Sequence, residues 1–240
     1  MDQDLITKLL RPKSLAIIGA SATPGKIGYT VVYNLINSGY KGKFYPINPQ
    51  VSEILGVKAY PSISDVPDEV EGAVICVPAK YVPEVTEECG KKGVKGLIII
   101  TSGFSEVGDK ATEDKIVEIA HHYGMCILGP NIVGTLSNAD KMNASFAPLL
   151  PLEGRASLVT QSGALLIALD AASYIRRVGF EKLISIGNMA DVDFADLIEW
   201  LDQKDDNTDC ISLHIEGLKN GRHFIQAARS AKKPIIALKA

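Results

Sequence analysis

Two turns in this 240-residue chain have the makings of anion sites. The first is Gly19-Ala20-Ser21-Ala22-Thr23-Pro24-Gly25-Lys26-Ile27-Gly28, set between an apolar run at 14–18 and a helical pattern at 27–38. Small residues let the backbone approach a phosphate, and free amides at a helix start favour negative charge. Lys26 adds a cation within reach. The same residues also suit a plain packing turn, in which glycine serves only close approach. The second turn, Gln161-Ser162-Gly163, follows the run at 156–159 and opens another helix. Ser162 and Gly163 are therefore candidates to hold a phosphoryl group. Glu216, beside Gly217 at the carboxyl end of the run at 210–215, lies where ligands of parallel sheets bind. Its plainer role is a carboxylate stabilised by a helix dipole.

Competing chemistries fit less well. Ser162 lacks the G-x-S-x-G elbow of a hydrolase, because Thr160 stands two residues before it. A nicotinamide dinucleotide site asks for G-x-G-x-x-G and an acid about 20 residues on. Here Ser21 replaces the second glycine, and the run at 43–47 ends in Tyr45-Pro46-Ile47-Asn48-Pro49 with no carboxylate. Another adenosine-and-phosphate ligand, such as coenzyme A, stays open. His214 alternates with Leu213 and Ile215 as a strand histidine does, His223 opens a helix and is expected in solvent, and Asp191, Asp193 and Asp196 suit helix capping. Four cysteines and four histidines show no metal spacing and no disulfide framework, which points to no metal and a reducing, cytoplasmic setting. A net charge of -3 without a basic run argues against nucleic acid. The apolar runs are too short for a membrane span, and the start carries no export signal.

The turns need strands and helices to aim them. Short runs rich in Val and Ile, at 14–18, 43–47, 72–77, 96–101 and 125–128, alternate with helical periods at 27–38, 82–92 and 113–123. That is the pattern of stacked βαβ units, hence an α/β class with an open parallel sheet. The polar segment 137–154, with prolines at 148 and 151, shows no period and reads as a crossing between domains. The rhythm resumes with strands at 156–159, 182–186, 210–215 and 234–238, and helices ending near 177 and spanning 194–201 and 222–231. The expected division is residues 1–136, a linker at 137–154, and residues 155–240. The last strand meets the end of the chain where a covering helix is expected, so the sequence reads as truncated.

Taken together, several motifs resemble the ADP-forming (NDP-forming) acyl-CoA synthetases, relatives of the succinyl-CoA synthetase alpha subunit. They are the first glycine-rich turn, Tyr45-Pro46-Ile47-Asn48-Pro49, Cys76-Val77-Pro78-Ala79, Ser102-Gly103-Phe104-Ser105-Glu106 and Gly129-Pro130-Asn131-Ile132-Val133-Gly134. Thr160-Gln161-Ser162-Gly163-Ala164-Leu165, Gly187-Asn188 with Asp191-Val192-Asp193, and His214-Ile215-Glu216-Gly217 continue the likeness to nearly the whole chain. The resemblance implies a Rossmann-like CoA-binding domain followed by a flavodoxin-like parallel domain. It also implies a reaction: acyl-CoA, ADP and phosphate interconverted with acid, CoA and ATP through an acyl phosphate and a phosphohistidine.

By the same resemblance, Gly19, Ala20, Ser21, Lys26, Asn48, Val77 and Pro78 would cradle coenzyme A, with Asn131 towards its thiol. Ser162 and Gly163 would bind phosphate, and Glu216 would orient the phosphohistidine. Gln50 stands where relatives often place a lysine, and the family's Ser-His-Thr-Gly-like loop is not among these residues. ADP or ATP with Mg2+ is expected only on a beta-subunit or ATP-grasp domain. The other readings are a stand-alone CoA-binding regulatory module and an NAD-dependent oxidoreductase.

Overall fold

The computed structural model describes residues 1–240. The chain opens on a helix that the alternating pattern did not suggest, α1 (Gln3–Leu10), which is too short to carry a clear period. Asp2 caps it, accepting from the Asp4 amide at 2.9 Å, and Ile6, Leu9 and Leu10 form its buried face. The first βαβ series follows: β1 (Ser14–Ile18), α2 (Ile27–Ser38), β2 (Lys43–Ile47), a small hairpin β3 (Glu53–Ile54) and β4 (Val57–Lys58), then β5 (Gly72–Ile75), α3 (Val82–Lys92), β6 (Gly96–Ile99), α4 (Lys110–His122) and β7 (Cys126–Leu128). β1, β5, β6 and β7 are buried along their whole length, as strands covered on both faces must be. The sheet is parallel in the order β2-β1-β5-β6-β7, so the strand order reverses at β1. A crevice for ligands opens at such a reversal, beyond the carboxyl ends of the strands.

The segment expected as a linker contains strand residues. β8 (Gly134–Ser137) and β9 (Met142–Ser145) form an antiparallel pair, and β10 (Glu153–Thr160) starts within the same stretch. Polarity misled the sequence reading because the polar residues here are buried and bonded. Asn138 Nδ2 donates to the carbonyls of Pro151 and Phe180, and Asn34 Nδ2 reaches across from α2 to the carbonyls of Ser145 and Ala147. A buried amide with its bonds made is as compatible with a core as an apolar residue.

The second series continues with α5 (Gly163–Arg176), β11 (Phe180–Ser185), α6 (Phe194–Gln203), β12 (Cys210–Ile215), α7 (Gly221–Ser230) and β13 (Ile235–Lys239). Its sheet runs β13-β12-β10-β11-β8-β9, parallel from β13 to β11 and antiparallel where β8 and β9 join. One apolar cluster of 34 residues spans both sheets, with Ile6 and Leu9 of α1, Leu15 and Ile17 of β1, and Trp200 and Leu201 of α6 in it. Trp200 Nε1 donates to Thr7 Oγ1 at 2.9 Å, tying α1 to α6. No helix is long and apolar enough to cross a membrane.

Candidate functional site

The first glycine turn is built for close approach. Gly19 has φ +84, and a Cβ there would lie 2.9 Å from Val77 Cγ1 and 3.0 Å from the Cys76 carbonyl carbon. A side chain at this position would push β1's turn away from the loop after β5, so glycine is required by space and by backbone. Ala20 is buried and offers its backbone: its carbonyl accepts from Asn48 Nδ2 at 2.7 Å, while Asn48 Oδ1 accepts from the Gln50 amide at 2.7 Å. Asn48 thus locks the end of β2 to the turn. Ser21 Oγ accepts from the Thr23 amide at 3.0 Å, and residues 22–27 are exposed. Lys26 caps α2 without a side-chain bond, and its ammonium has no acidic partner within ion-pair range.

Beyond this turn, three loops stand in file. Thr101 Oγ1 donates to the Val77 carbonyl at 2.7 Å, and the Thr101 carbonyl accepts from the Asn131 amide at 2.9 Å. The ends of β5, β6 and β7 are thereby held in register along one side of a cleft of about 850 Å³. Val77, Pro78, Thr101, Asn131 and Val133 line it from the first side, Gln161, Gly163 and Ile167 from the second, and Phe146 between them. No lysine, arginine, aspartate, glutamate or histidine is in the lining. Burial pushes the Cys76 thiol, also on this wall, up to about 12, so it stays protonated at neutral pH.

On the second side, Ser162 caps α5 and its side chain accepts from the Leu165 amide at 3.2 Å. The Gly163 and Ala164 amides donate to no protein acceptor and face the cleft end of a 14-residue helix. Free amides plus the positive end of the helix dipole suit an anion. Gly163 packs on the first domain: a Cβ there would meet Val133 Cγ2 at 2.8 Å. Gln161 does work that the sequence reading did not assign. Its Oε1 accepts from the amides of Glu216 at 2.7 Å and Gly217 at 2.9 Å, binding the ends of β10 and β12 together. The Glu216 side chain is exposed and bonds to nothing in the chain.

Asn188 is the other residue whose role no sequence signal gave. Its Nδ2 lies 2.6 Å from Glu106 Oε2, 2.8 Å from Glu113 Oε2 and 3.1 Å from Ser105 Oγ, and its Oδ1 accepts from Asn131 Nδ2 at 3.3 Å. One amide of the second domain therefore holds two loops of the first. Burial alone would raise the Glu106 carboxyl, but bonds from the Gly103 amide and Asn188 outweigh it and hold the group below its ordinary value. The histidines lie elsewhere. His121 pairs with Asp191 at 2.8 Å, His122 packs edge-on against Tyr123, and His214 Nδ1 is 3.3 Å from Thr160 Oγ1. His223, expected in solvent, is half-buried and 3.2 Å from Glu199 Oε1. Asp193 and Asp196 form the reciprocal cap of α6, whereas Asp191 accepts from the Ile127 amide and joins the two domains.

Of the residues singled out in the sequence, Val77, Pro78, Asn131 and Gly163 line one cleft. Gly19, Ala20, Ser21, Lys26 and Asn48 are not in its lining, which the glycine turn reaches only through the neighbouring Ile27; Ser162 and Glu216 are also outside it, each next to or bonded to the lining residue Gln161. A crevice at the carboxyl ends of a parallel sheet, with a free helix start on one wall, is the arrangement in which Rossmann-type folds hold phosphate-bearing ligands. The family model described as CoA binding domain matches residues 13–137, and the chain belongs to that family. The model of the succinyl-CoA ligase like flavodoxin domain matches residues 153–240.

Among individual proteins, the alpha subunit of acetate–CoA ligase [ADP-forming] I from Pyrococcus furiosus is 50% identical over 240 residues, which cover 97% of this chain and 52% of that one. Acetate–CoA ligase [ADP-forming] from Methanocaldococcus jannaschii is 51% identical over 95% of this chain and 32% of its own length. The solved structure of a Ca. Korarchaeum cryptofilum acetyl-coenzyme A synthetase in complex with phosphate and ADP superposes with a TM-score of 0.95 at 46% identity, over 98% of this chain and 51% of that one. The chain spans about half the length of the first of these relatives and a third of the second.

Proposed function

We propose that this chain is the CoA-binding part of an ADP-forming acyl-CoA synthetase. In this reading the Gly19-Ala20-Ser21 turn and Lys26 take the CoA phosphates, and Asn48 keeps the turn in shape. Val77, Pro78 and Asn131 flank the pantetheine on its way to the thiol. Phosphate sits on the amides of Gly163 and Ala164 beside the Ser162 cap. Its oxygen attacks the thioester carbonyl carbon, the C–S bond breaks, and acyl phosphate and CoA thiolate result. Glu216, exposed at the same end, is assigned to the subsequent phosphoryl transfer to a histidine. None of the four histidines lines the cleft; by the resemblance, that histidine belongs to a Ser-His-Thr-Gly-like loop on another part of the enzyme. By the resemblance to acyl-CoA synthetases, ADP, ATP and Mg2+ are assigned to a beta-subunit or ATP-grasp domain.

The observation that carries the proposal is the cleft that has Val77, Pro78 and Asn131 on one wall and the free start of α5 on the other, with Ile27 after the glycine turn also in its lining. Calorimetric titration with CoA, and with NAD and ADP as controls, tests it. CoA alone is expected to bind, and Lys26→Ala to weaken it about tenfold, the worth of one charge-assisted contact of about 1.5 kcal/mol. Binding of NAD without CoA would overturn the reading.

A further inference from the structure

Phe146 is a half-buried aromatic ring on the cleft wall, and its backbone is held by an unusual amount of buried polar structure. Asn34 Nδ2 donates to the carbonyls on either side of it, Ser145 at 2.9 Å and Ala147 at 2.8 Å. Asn143 Nδ2 donates to the Ala147 carbonyl at 3.2 Å, Ser145 Oγ donates to Asn143 Oδ1 at 2.5 Å, and the Ala147 amide donates back to Ser145 Oγ at 3.0 Å. Asn34, Asn143 and Ser145 are 4%, 2% and 0% exposed, so their bonds are made out of reach of water. A satisfied buried network of this kind fixes one conformation of the backbone that carries the ring, and the ring itself packs against two apolar clusters.

The ring stands at a definite end of the cleft. The Phe146 amide donates to the Val133 carbonyl at 3.2 Å, and the Val133 side chain in turn abuts Gly163 at the start of α5. A phosphate on the α5 amides must touch the thioester carbon it attacks, so the acyl group emerges beside Val133, Phe146 and Ile167. We propose that Phe146 is the specificity-determining residue of the acyl subsite, a fixed aromatic stop that admits short uncharged acyl tails and excludes bulky ones. The lining supplies no cation to meet a second carboxylate, which sets the uncharged class. The inference rests on the acyl-CoA reading of the cleft given above.

Titration of the 240-residue chain and its Phe146→Ala variant with CoA, acetyl-CoA and phenylacetyl-CoA separates the two. The wild type is expected to bind acetyl-CoA at least tenfold more tightly than phenylacetyl-CoA, and Phe146→Ala to gain about tenfold for the bulky thioester while free CoA affinity is unchanged. Phe146→Leu, which keeps an apolar filling, should move the same way by less, and Phe146→Trp should weaken acetyl-CoA. Equal loss of all three ligands in Phe146→Ala, with an unchanged melting temperature, would make the ring a wall for pantetheine and overturn the proposal. Failure of the wild type to bind CoA in any form would instead overturn the underlying acyl-CoA reading.

Discussion

Asp170 lies on the same face of α5 as the buried Leu166 and Ser173; it is 1% exposed, and its Oδ1 has no hydrogen-bond partner. Burial pushes its carboxyl up from 3.8 to about 6. The folded state therefore prefers the protonated form, and ionisation works against folding. The penalty is absent below the unfolded value, grows as pH rises from about 4 to about 6, and is constant above, reaching about 3 kcal/mol from 2.303RT per unit. Urea unfolding at pH 4, 5 and 7 should show Asp170→Asn, which mimics the protonated group, gaining stability over wild type across that window. Parallel curves for the two proteins would mean that the carboxyl finds a partner in solution. At this scale the sequence showed that Gly19 lies in a turn and that Ser162 opens a helix. It was silent on Asp170, Gln161 and Asn188, because nothing in a residue's type says whether its partner is water or a distant amide.

The elements were legible where their periods were clean. β1 and β2 form over the residues expected, whereas β5 and β6 begin where expected and end two residues early, at Ile75 and Ile99. α1 and the β8–β9 pair were missed, the first for brevity and the second because its buried asparagines and serines imitate a loop. In the proposed reading, α5 carries its function at its first turn. Ser162 satisfies the Leu165 amide and so leaves the first two amides as the only open donors of that terminus. Ser162→Ala should lower stability by about 1 kcal/mol in chemical denaturation, the typical worth of a side-chain cap. It should also weaken inorganic phosphate binding, read by competition with a phosphate analogue. An unchanged denaturation midpoint would show that the cap is replaced by water.

The two sheets are not independent bodies. Residues of α1, β1 and α2 share one apolar cluster with residues of β10, β12 and α6, and Asp191 of the second domain accepts from the Ile127 amide and His121 of the first. Removing one domain would expose a large part of the other's core, at roughly 25 cal/mol for each Å² of apolar surface. Differential scanning calorimetry is therefore expected to show one cooperative transition, with the calorimetric and van't Hoff enthalpies equal. Two resolved transitions would separate the domains energetically and make the shared cluster a contact of little weight.

Fold class and the places of the 19–28 and 161–163 turns follow from local rules. Strand and helix periods, glycine's access to positive φ and the capping preference of serine act over a few residues, so the chain order alone displays them. The cleft is a different matter. Gln161 meets Glu216 across 55 residues, Asn188 meets Glu106 across 82, and Asn34 meets Ser145 across 111. Such contacts exist only after α1, α2 and α6 have drawn the two sheets onto one core. That is why Phe146, lying in a stretch that reads as a linker, becomes a fixed wall of the site only in the folded molecule.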